Sequence, residues 1–314
     1  MRIEVVDVNG LRNTIEDITE FSFSQSVQAP CDALAVHFKS EIILDEIVKV
    51  YAFENDEAFF YGFCDNQRTK RNKNGYEIYF YARSSACLLV DNEAKPFTYN
   101  CPGSNQLFYS FAKPFGFKNA LPNIASAEKY AVWKGVSCYG AINQFVSLCT
   151  GQNVYVTPDN TLKLYEISDD IKSFNKYEIL EMVQVINRSE PISEICYKKS
   201  SDTDYNVHAK GKISEDLQIN RVGYLNLSSL SRWQREFTIL QRLKKSYEDY
   251  KQVEIKISGY VSEPLLQRFL FETDGIVFED YVMTDKRYQY DEKGEITKLT
   301  LRKMIDVKEV VYVD

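Results

Sequence analysis

Hydrophobic and polar residues alternate with a period of two through most of residues 1–90. In residues 20–27, for example, Phe21, Phe23 and Val27 share one face and three serines share the other. Such alternation between turn residues predicts half-buried β-strands joined by hairpins. The pattern predicts six strands and no helix, which is typical of a small barrel or sandwich. The strands cover residues 3–8, 20–27, 34–38, 47–53, 58–63 and 76–83, with turns at Glu54–Glu57 and Asn74–Gly75.

Helical spacing replaces this alternation between residues 95 and 166. Ser104 is predicted to cap a short helix that ends at Lys113, because Pro114 follows. Ser137 is predicted to cap a second helix, in which apolar residues recur every three or four positions until Gly151 ends it. A hairpin then follows over residues 153–165. Together these elements predict a small α/β module.

Residues 167–314 combine less regular segments with a return to strands. Strands are predicted at 192–197 and 205–209, with the polar turn 200–204 between them. A helix is predicted at about 229–250, and we expect its apolar stripe to pack in a core. The fold class is therefore mainly β with an α+β insertion. The predicted domains are a first β-barrel at 1–94, the small α/β module at 95–170, and a second β-barrel at 171–314 that includes the helix and an irregular segment.

The two ends of the chain carry a similar β unit. Residues 51–60 match residues 269–278, each being a strand, an acidic turn and a strand. Residues 34–38 match 253–257 after a shift of one residue. Short hairpins resemble each other through turn residues alone, but four strands in the same order favour a duplication. At the shifted register the next hairpin also matches, with Arg68, Gly75 and Arg83 on Arg287, Gly294 and Arg302.

The charge and the cysteine content argue against several classes of protein. The net charge is −7, whereas a protein that binds nucleic acid through its phosphates is expected to be basic. The most basic stretch, residues 68–73, precedes a turn and is predicted to be a solvated hairpin tip. No segment has the ~20 apolar residues of a membrane span, and no signal peptide is predicted. The seven scattered cysteines are predicted to be reduced thiols of a protein made in the cytosol.

No group of residues predicts catalysis, a cofactor or a metal site. The two histidines, His37 and His208, have no cysteine or carboxylate at ligand spacing and are predicted to be structural. The segment Asp202–Asp204 lacks the rest of a calcium loop, and there is no P-loop or GxGxxG motif. The chain is therefore predicted not to be an enzyme. Acidic pairs of the kind used in glycoside hydrolysis occur in predicted turns, where solvated side chains are expected: Glu54 with Asp56, and Glu272 with Asp274.

The order of these pieces resembles the baseplate hub of contractile phage tails and phage-tail-like bacteriocins. The resemblance is to the Mu-type hub and its relatives in prophages of Gram-positive bacteria, and it covers nearly the whole chain. It is carried by the order of the segments and not by one strict motif. The segments are Val48–Phe63, Tyr76–Asp91, Gly135–Val146, Thr157–Leu162 and Gly294–Leu301.

This resemblance implies a structural role. Hubs of this type are homotrimers in which two tube-like β-barrels per chain form a pseudo-hexameric ring, and the ring joins a hexameric tail tube to a central spike. The implied partners are the tail tube protein, the central spike or tip protein, and the baseplate wedge and tape-measure proteins. The implied location is the tail baseplate of a virion or phage-tail-like particle made in the cytoplasm of a bacterial host. Neither a membrane nor sequence-specific binding of nucleic acid is implied.

Two alternatives stay open at this point. The chain could instead be a cell-wall hydrolase or carbohydrate-binding component of the same kind of particle. It could also be the tail-tip protein of a non-contractile tail, which shares the duplicated barrel. No segment resembles the lysozyme-like or peptidase domain of enlarged hubs, so we expect lytic activity to belong to another protein.

Overall fold

The computed structural model describes most of the chain, and the chain forms two compact units. The described residues are 1–126, 129–199, 204–211, 214, 217–228, 230, 232–273, 275–305 and 310–313. Unit 1 comprises Met1–Ile167, Lys256–Leu266 and Thr284–Leu299, and unit 2 comprises Ser168–Ile255, Gln267–Met283 and Thr300–Asp314. The three-domain division predicted above stays a prediction, although unit 1 does contain two separate hydrophobic clusters.

The first seven strands of unit 1 form an antiparallel sheet with the order β3-β4-β7-β6-β5-β1-β2. Their alternating pattern buries one side chain in two, among them Phe23, Leu34 and Phe80, which confirms the predicted period. The short strand β2 was not predicted, whereas the continuation of β6 to Asn72 agrees with the predicted hairpin that turns at Asn74–Gly75. The strands are β1 Arg2–Asp7, β2 Arg12–Ile15, β3 Ile18–Ser26, β4 Ala33–Ser40, β5 Ile47–Glu54, β6 Glu57–Asn72 and β7 Gly75–Ser84.

The predicted α/β module follows in unit 1 and has its own hydrophobic cluster, with Leu107, Ile142, Phe145 and Leu162 fully buried. Its helices are α1 Cys87–Val90, α2 Ser104–Phe111 and α3 Cys138–Thr150, with a 3-10 turn at Lys113–Phe115. Its strands are β8 Phe97–Tyr99, β9 Lys118–Asn119, β10 Tyr130–Val132, β11 Val154–Val156 and β12 Thr161–Leu164.

The two predicted helix caps in the module have different outcomes. The Ser137 side chain accepts a hydrogen bond from the Gly140 amide, and Gly151 ends α3 in the left-handed conformation (φ 76°), so this prediction is confirmed. The prediction for Ser104 is wrong, because Gly103 occupies the cap position. The hydroxyl of Ser104 is turned instead to the loop after β9, where it donates to the Pro122 carbonyl at 2.7 Å.

We expect Ser137→Ala to lower the free energy of unfolding by about 1 kcal/mol, which is typical of a lost N-cap. The reason is that the Gly140 amide loses the acceptor that lies 3.0 Å away. Thermal unfolding monitored by circular dichroism measures the change. Ser147→Ala, inside the same helix, is the matched control and is expected to cause no loss. Equal stability of the two variants would contradict the capping role.

Unit 2 contains a four-stranded sheet with the order β17-β15-β16-β22. Helix α4, Arg232–Tyr247, packs on this sheet through Ile239, Leu243 and Tyr247. The predicted core packing is confirmed for Leu243 and Tyr247, whereas Phe237 and Leu240, which share the predicted stripe, are half-buried. The predicted helix start at Ser229 and the turn residues 200–203 lie outside the described residues. The strands of this sheet are β15 Glu194–Lys198, β16 Val207–Gly211, β17 Val222–Asn226 and β22 Val310–Val313. Unit 2 also contains β13 Ile171–Lys172, β14 Ile179–Ile186 and a 3-10 turn at Phe174–Lys176.

The positions and lengths of the strands agree with the predicted repeat. The remaining strands are β18 Lys251–Ser258, β19 Arg268–Thr273, β20 Ile276–Asp291 and β21 Gly294–Lys303. Strands β20 and β21 begin and end 219 residues after β6 and β7, respectively, so the two long hairpins have the same lengths, 16 and 10 residues. Duplicated strands of equal length, with equal turns, imply that each copy builds the same piece of sheet.

The structure corrects one part of the sequence alignment of the repeat. The pairs that close the turns are Glu54 with Glu57 and Thr273 with Ile276, so the offset is 219 here as well. Phe271 therefore corresponds to buried Ala52, and not to Phe53 as the alignment predicted. Each hairpin has one bulge, between Ala52 and Phe53 and between Phe269 and Phe271. The bulges lie at slightly different places, because Ala52 pairs with Phe60 whereas its equivalent Phe271 pairs with Phe278.

The mainly β architecture with an α/β insertion is confirmed by these elements. Within the described residues, no helix has both the length and the apolar character needed to cross a membrane.

Candidate functional site

The outer half of β6 has a strand on one side only. Strand β5 pairs with β6 from Glu57 to Phe63, whereas β7 pairs with it from Gly62 to Asn72. Among the described residues, no strand pairs with the other side of residues 66–72. We call this open side the β6 edge; its side chains are Asn66, Gln67, Arg68, Thr69, Lys70, Arg71 and Asn72, all polar and three of them cationic.

The counterpart of this edge is covered within the chain. Strand β20 is the repeat of β6, and its residues 285–290 pair antiparallel with residues 21–26 of β3. Strand β3 in turn pairs with β4. Strand β20 therefore has β19, β21 and β3 as neighbours, whereas β6 has β5 and β7. The partner that the β6 edge lacks is the equivalent of β3.

Strand β14 is that equivalent in the second copy. It pairs with β18, the repeat of β4, as β3 pairs with β4. Among the described residues its other side has no partner strand. We call this side the β14 edge. Four apolar residues of β14 are exposed to solvent, with exposed fractions of 41% for Ile179, 49% for Leu180, 42% for Val183 and 53% for Ile186. Long, flat, apolar edges are templates for pairing with another chain and are normally protected.

A cluster of three possible metal ligands lies on the sheet of unit 2. Cys196 on β15 stands opposite His208 on β16, and Glu194 precedes Cys196 by two residues and so lies on the same face. The His208 Nδ1 atom lies 2.5 Å from Glu194 Oε1 and 3.5 Å from Cys196 Sγ. The sulfur and the carboxylate oxygen are 4.0 Å apart. Burial, and secondarily the charge of Glu194, raises the pKa of the Cys196 thiol.

Sequence spacing did not point to this cluster, because Glu194 and Cys196 are far from His208 along the chain. Only the register of β15 against β16 brings them together. His37, the other histidine, lies on β4 opposite Tyr79. It lines a shallow groove with Glu20, Arg68, Tyr79 and Tyr81.

The acidic pair predicted in the first turn is solvated and paired with cations. The Glu54 carboxylate lies 3.2 Å from the amino terminus of Met1, and Asp56 lies 3.3 Å from the Arg2 guanidinium. Asn55 and Asp56 have left-handed φ angles of 47° and 64°, as a two-residue hairpin turn requires. Glu272 is exposed, whereas Asp274, like Asp202, lies outside the described residues.

A buried lysine in unit 1 was also missed by sequence reasoning. Lys286 on β20 is 3% exposed, and its ammonium donates to the carbonyls of Val261 and Glu263 at 3.3 and 3.0 Å. Burial lowers the pKa of Lys286 to about 8. Burial also raises the pKa of Asp32 to about 6, opposed by the hydrogen bond from Gln25 and the charge of Lys286. The buried Lys286 ammonium is therefore held by backbone carbonyls, and the Asp32 carboxyl group by the Gln25 side chain.

Comparison with known proteins finds similarity in structure and none in sequence families. No protein-family model matches the chain, and no curated protein has a matching sequence. The 43 kDa tail protein of prophage MuSo2 from Shewanella oneidensis has a TM-score of 0.80 at 11% identity, over 96% of this chain and 98% of that one. The tail protein from Neisseria meningitidis MC58 has a TM-score of 0.74 at 14% identity, over 96% and 95%.

A third similar structure comes from a secretion system. It is a component of the E. coli type VI secretion system, described as similar to the T4 tail proteins gp27 and gp5. Its TM-score is 0.60 at 9% identity, over 92% of this chain and 74% of that one. Similarity over more than nine tenths of this chain, with little sequence identity, is evidence of a shared fold. The chain has the fold of these phage tail proteins, which confirms the predicted resemblance at the level of the fold.

Proposed function

We propose that the protein is a structural baseplate hub of a phage tail or phage-tail-like particle. In this proposal three copies form a ring that joins the hexameric tail tube to the central spike, with wedge and tape-measure proteins as further neighbours. The observation that carries the proposal is the duplicated β unit with one covered and one open edge. The fold shared with phage tail proteins supports the tail assignment.

The duplication supplies the symmetry of the ring. Three chains with two similar β units each present six similar positions, which suit a sixfold tube. Within the chain, the contact between the two similar β units would be β3 on β20. The same contact between chains would be β14 of one chain on the β6 edge of the next. Antiparallel strand addition of this kind satisfies open backbone groups on both strands and covers apolar side chains.

The contact within the chain also sets the expected register between chains. On β20 and β3, Tyr288 stands opposite Phe23. The offset of 219 residues carries Tyr288 to Thr69, and aligning the first residues of β3 and β14, Ile18 and Ile179, carries Phe23 to Gln184. We therefore place Thr69 of one chain opposite Gln184 of its neighbour.

A Thr69→Cys, Gln184→Cys double variant is expected to give a covalent trimer on mild oxidation or with a short bis-maleimide. Non-reducing gel electrophoresis measures the product, and native mass spectrometry of the wild type, alone and with the tube protein, measures the number of subunits. Each single variant should give no trimer. Arg12→Cys with Gln184→Cys is the competing control, because β2 is the strand at the other end of the sheet.

The possible outcomes test the hub function and the β14 contact separately. A chain that stays monomeric alone and with the tube protein would contradict the hub. A trimer that cross-links through the Arg12 pair, or through neither pair, would keep the hub and contradict the β14 contact. The proposal assigns no catalytic step to the chain, so cleared peptidoglycan in a zymogram would contradict the purely structural role and favour the hydrolase alternative.

A further inference from the structure

We propose that Glu194, Cys196 and His208 form a binding site for one zinc ion on the β15–β16 pair. The inference is independent of the hub function. It rests on the convergence of three different ligand types at one point of the sheet, on the face opposite the hydrophobic core.

The three side chains are directed to one point by strand geometry. Side chains alternate along a strand, so Ile195 and Tyr197 face the core while Glu194 and Cys196 face away from it. On the neighbouring strand, Val207 and Ala209 face the core and His208 faces away. Because Cys196 and His208 are directly opposite, their functional atoms meet above the sheet without a loop to position them.

The separations suit a tetrahedral ion after small rotations. With zinc bonds of about 2.0–2.3 Å, two ligand atoms on one ion lie about 3.3–3.8 Å apart. The sulfur lies 3.5 Å from His208 Nδ1 and 4.0 Å from the Glu194 oxygen, close to this range. The contact between His208 and Glu194, at 2.5 Å, is a hydrogen bond that has to open by about 1 Å to admit the ion.

The chemistry and the exposure of the donors also suit zinc. Carboxylate oxygen, thiolate sulfur and imidazole nitrogen are its three protein donor types, and sites with three protein ligands keep a fourth position for water. The Cys196 residue is 5% exposed, whereas the His208 side chain is 41% exposed and the Glu194 side chain 19%. The sulfur is thus shielded while the imidazole side is open to solvent, where a water ligand can enter.

The alternative is an ordinary hydrogen bond between His208 and Glu194 beside a buried thiol. The two possibilities differ in what happens when zinc is added. A bound ion would connect β15 to β16 and stabilise the folded state by an amount that grows with the zinc concentration. A hydrogen-bonded pair would leave the stability unchanged.

The test uses the full-length protein after removal of metals with a chelator. Zinc chloride is added, and bound zinc is counted by mass spectrometry of the desalted protein, while calorimetry gives the affinity. We expect one zinc per chain, a higher melting temperature with zinc, and with cobalt(II) a thiolate-to-metal charge-transfer band. His208→Gln, Cys196→Ser and Glu194→Gln should each weaken zinc binding by about tenfold or more.

Matched controls use the same changes elsewhere in the chain. His37→Gln and Cys64→Ser should keep one zinc per chain and the charge-transfer band. His208→Gln changes a half-exposed side chain, so it should fold normally even if Cys196→Ser does not, and its metal-free circular dichroism spectrum checks this. Absence of stoichiometric zinc in the wild type, or binding that the three site variants leave unchanged, would overturn the proposal.

Discussion

Replacing Gly62 with alanine is expected to lower the free energy of unfolding by about 3 kcal/mol or more, an effect at the upper end for overpacking. A Cβ atom at this position would lie 2.0 Å from the Arg83 carbonyl oxygen and 2.7 Å from the Arg83 carbonyl carbon. These are backbone atoms, so no side chain can rotate away. The β6 and β7 strands would have to separate where Gly62 pairs with Ser84.

Denaturant unfolding of Gly62→Ala against wild type measures this loss. The matched control is Gly211→Ala, because Gly211 also lies in a strand but has nothing within 4 Å of the added Cβ. We expect this control to stay within about 0.5 kcal/mol of wild type. If the two variants were equally stable, the close approach of β6 and β7 at this position would be refuted.

Replacing Lys286 with methionine is expected to destabilise the protein by about 2 kcal/mol at pH 7. The carbonyls of Val261 and Glu263 would lose the ammonium that donates to them. Asp32, whose pKa is raised by burial, would lose the charge that partly offsets this rise.

The difference between wild type and Lys286→Met is expected to grow with pH. The pKa of Lys286 falls from 10.5 to about 8 on folding, so the unfolded chain holds more protons than the folded one between these values. Stability from this group is therefore lowest below pH 8 and rises toward pH 10.5, by about 3 kcal/mol in all. Denaturant curves at half-unit pH steps measure the difference. Lys293→Met, in an exposed turn, is the control, and its free energy of unfolding should change with pH as that of wild type does. If the free energy of unfolding of Lys286→Met also followed wild type at every pH, the buried charge would be contradicted.

Alternation predicted most strands of the first unit because each has one buried and one exposed face. Alternation gave no signal in the outer half of β6, where residues 66–72 are polar on both faces, and only the Asn74–Gly75 turn predicted a long hairpin there. That part is a strand because β7 pairs with it, and pairing leaves no periodic signal in a segment without a buried face. Strand β14 was missed for the opposite reason. Its apolar residues on both faces resemble a buried segment, although most of them are exposed.

The candidate metal ligands were missed because their proximity depends on register. Glu194 and Cys196 are two residues apart, which sequence inspection can see, but His208 joins them only when β15 pairs with β16 at one alignment. A shift of that pairing by one residue would turn His208 into the core. Gly62 did carry a usable signal, since a glycine inside a strand pattern marks the close approach of another backbone.

The unlike character of the two open edges has a consequence for how copies can associate. The β14 edge is apolar, whereas the β6 edge carries Arg68, Lys70 and Arg71, so two β6 edges repel each other. A twofold dimer buries the same surface on both partners, and the cationic β6 edge does not suit that arrangement. Association through unlike surfaces is head to tail, and each added copy leaves one edge of each kind exposed. With the proposed contact of β14 on the β6 edge, growth would therefore stop only when the last copy meets the first, and a chain whose bend is altered would form open fibres instead of closed rings.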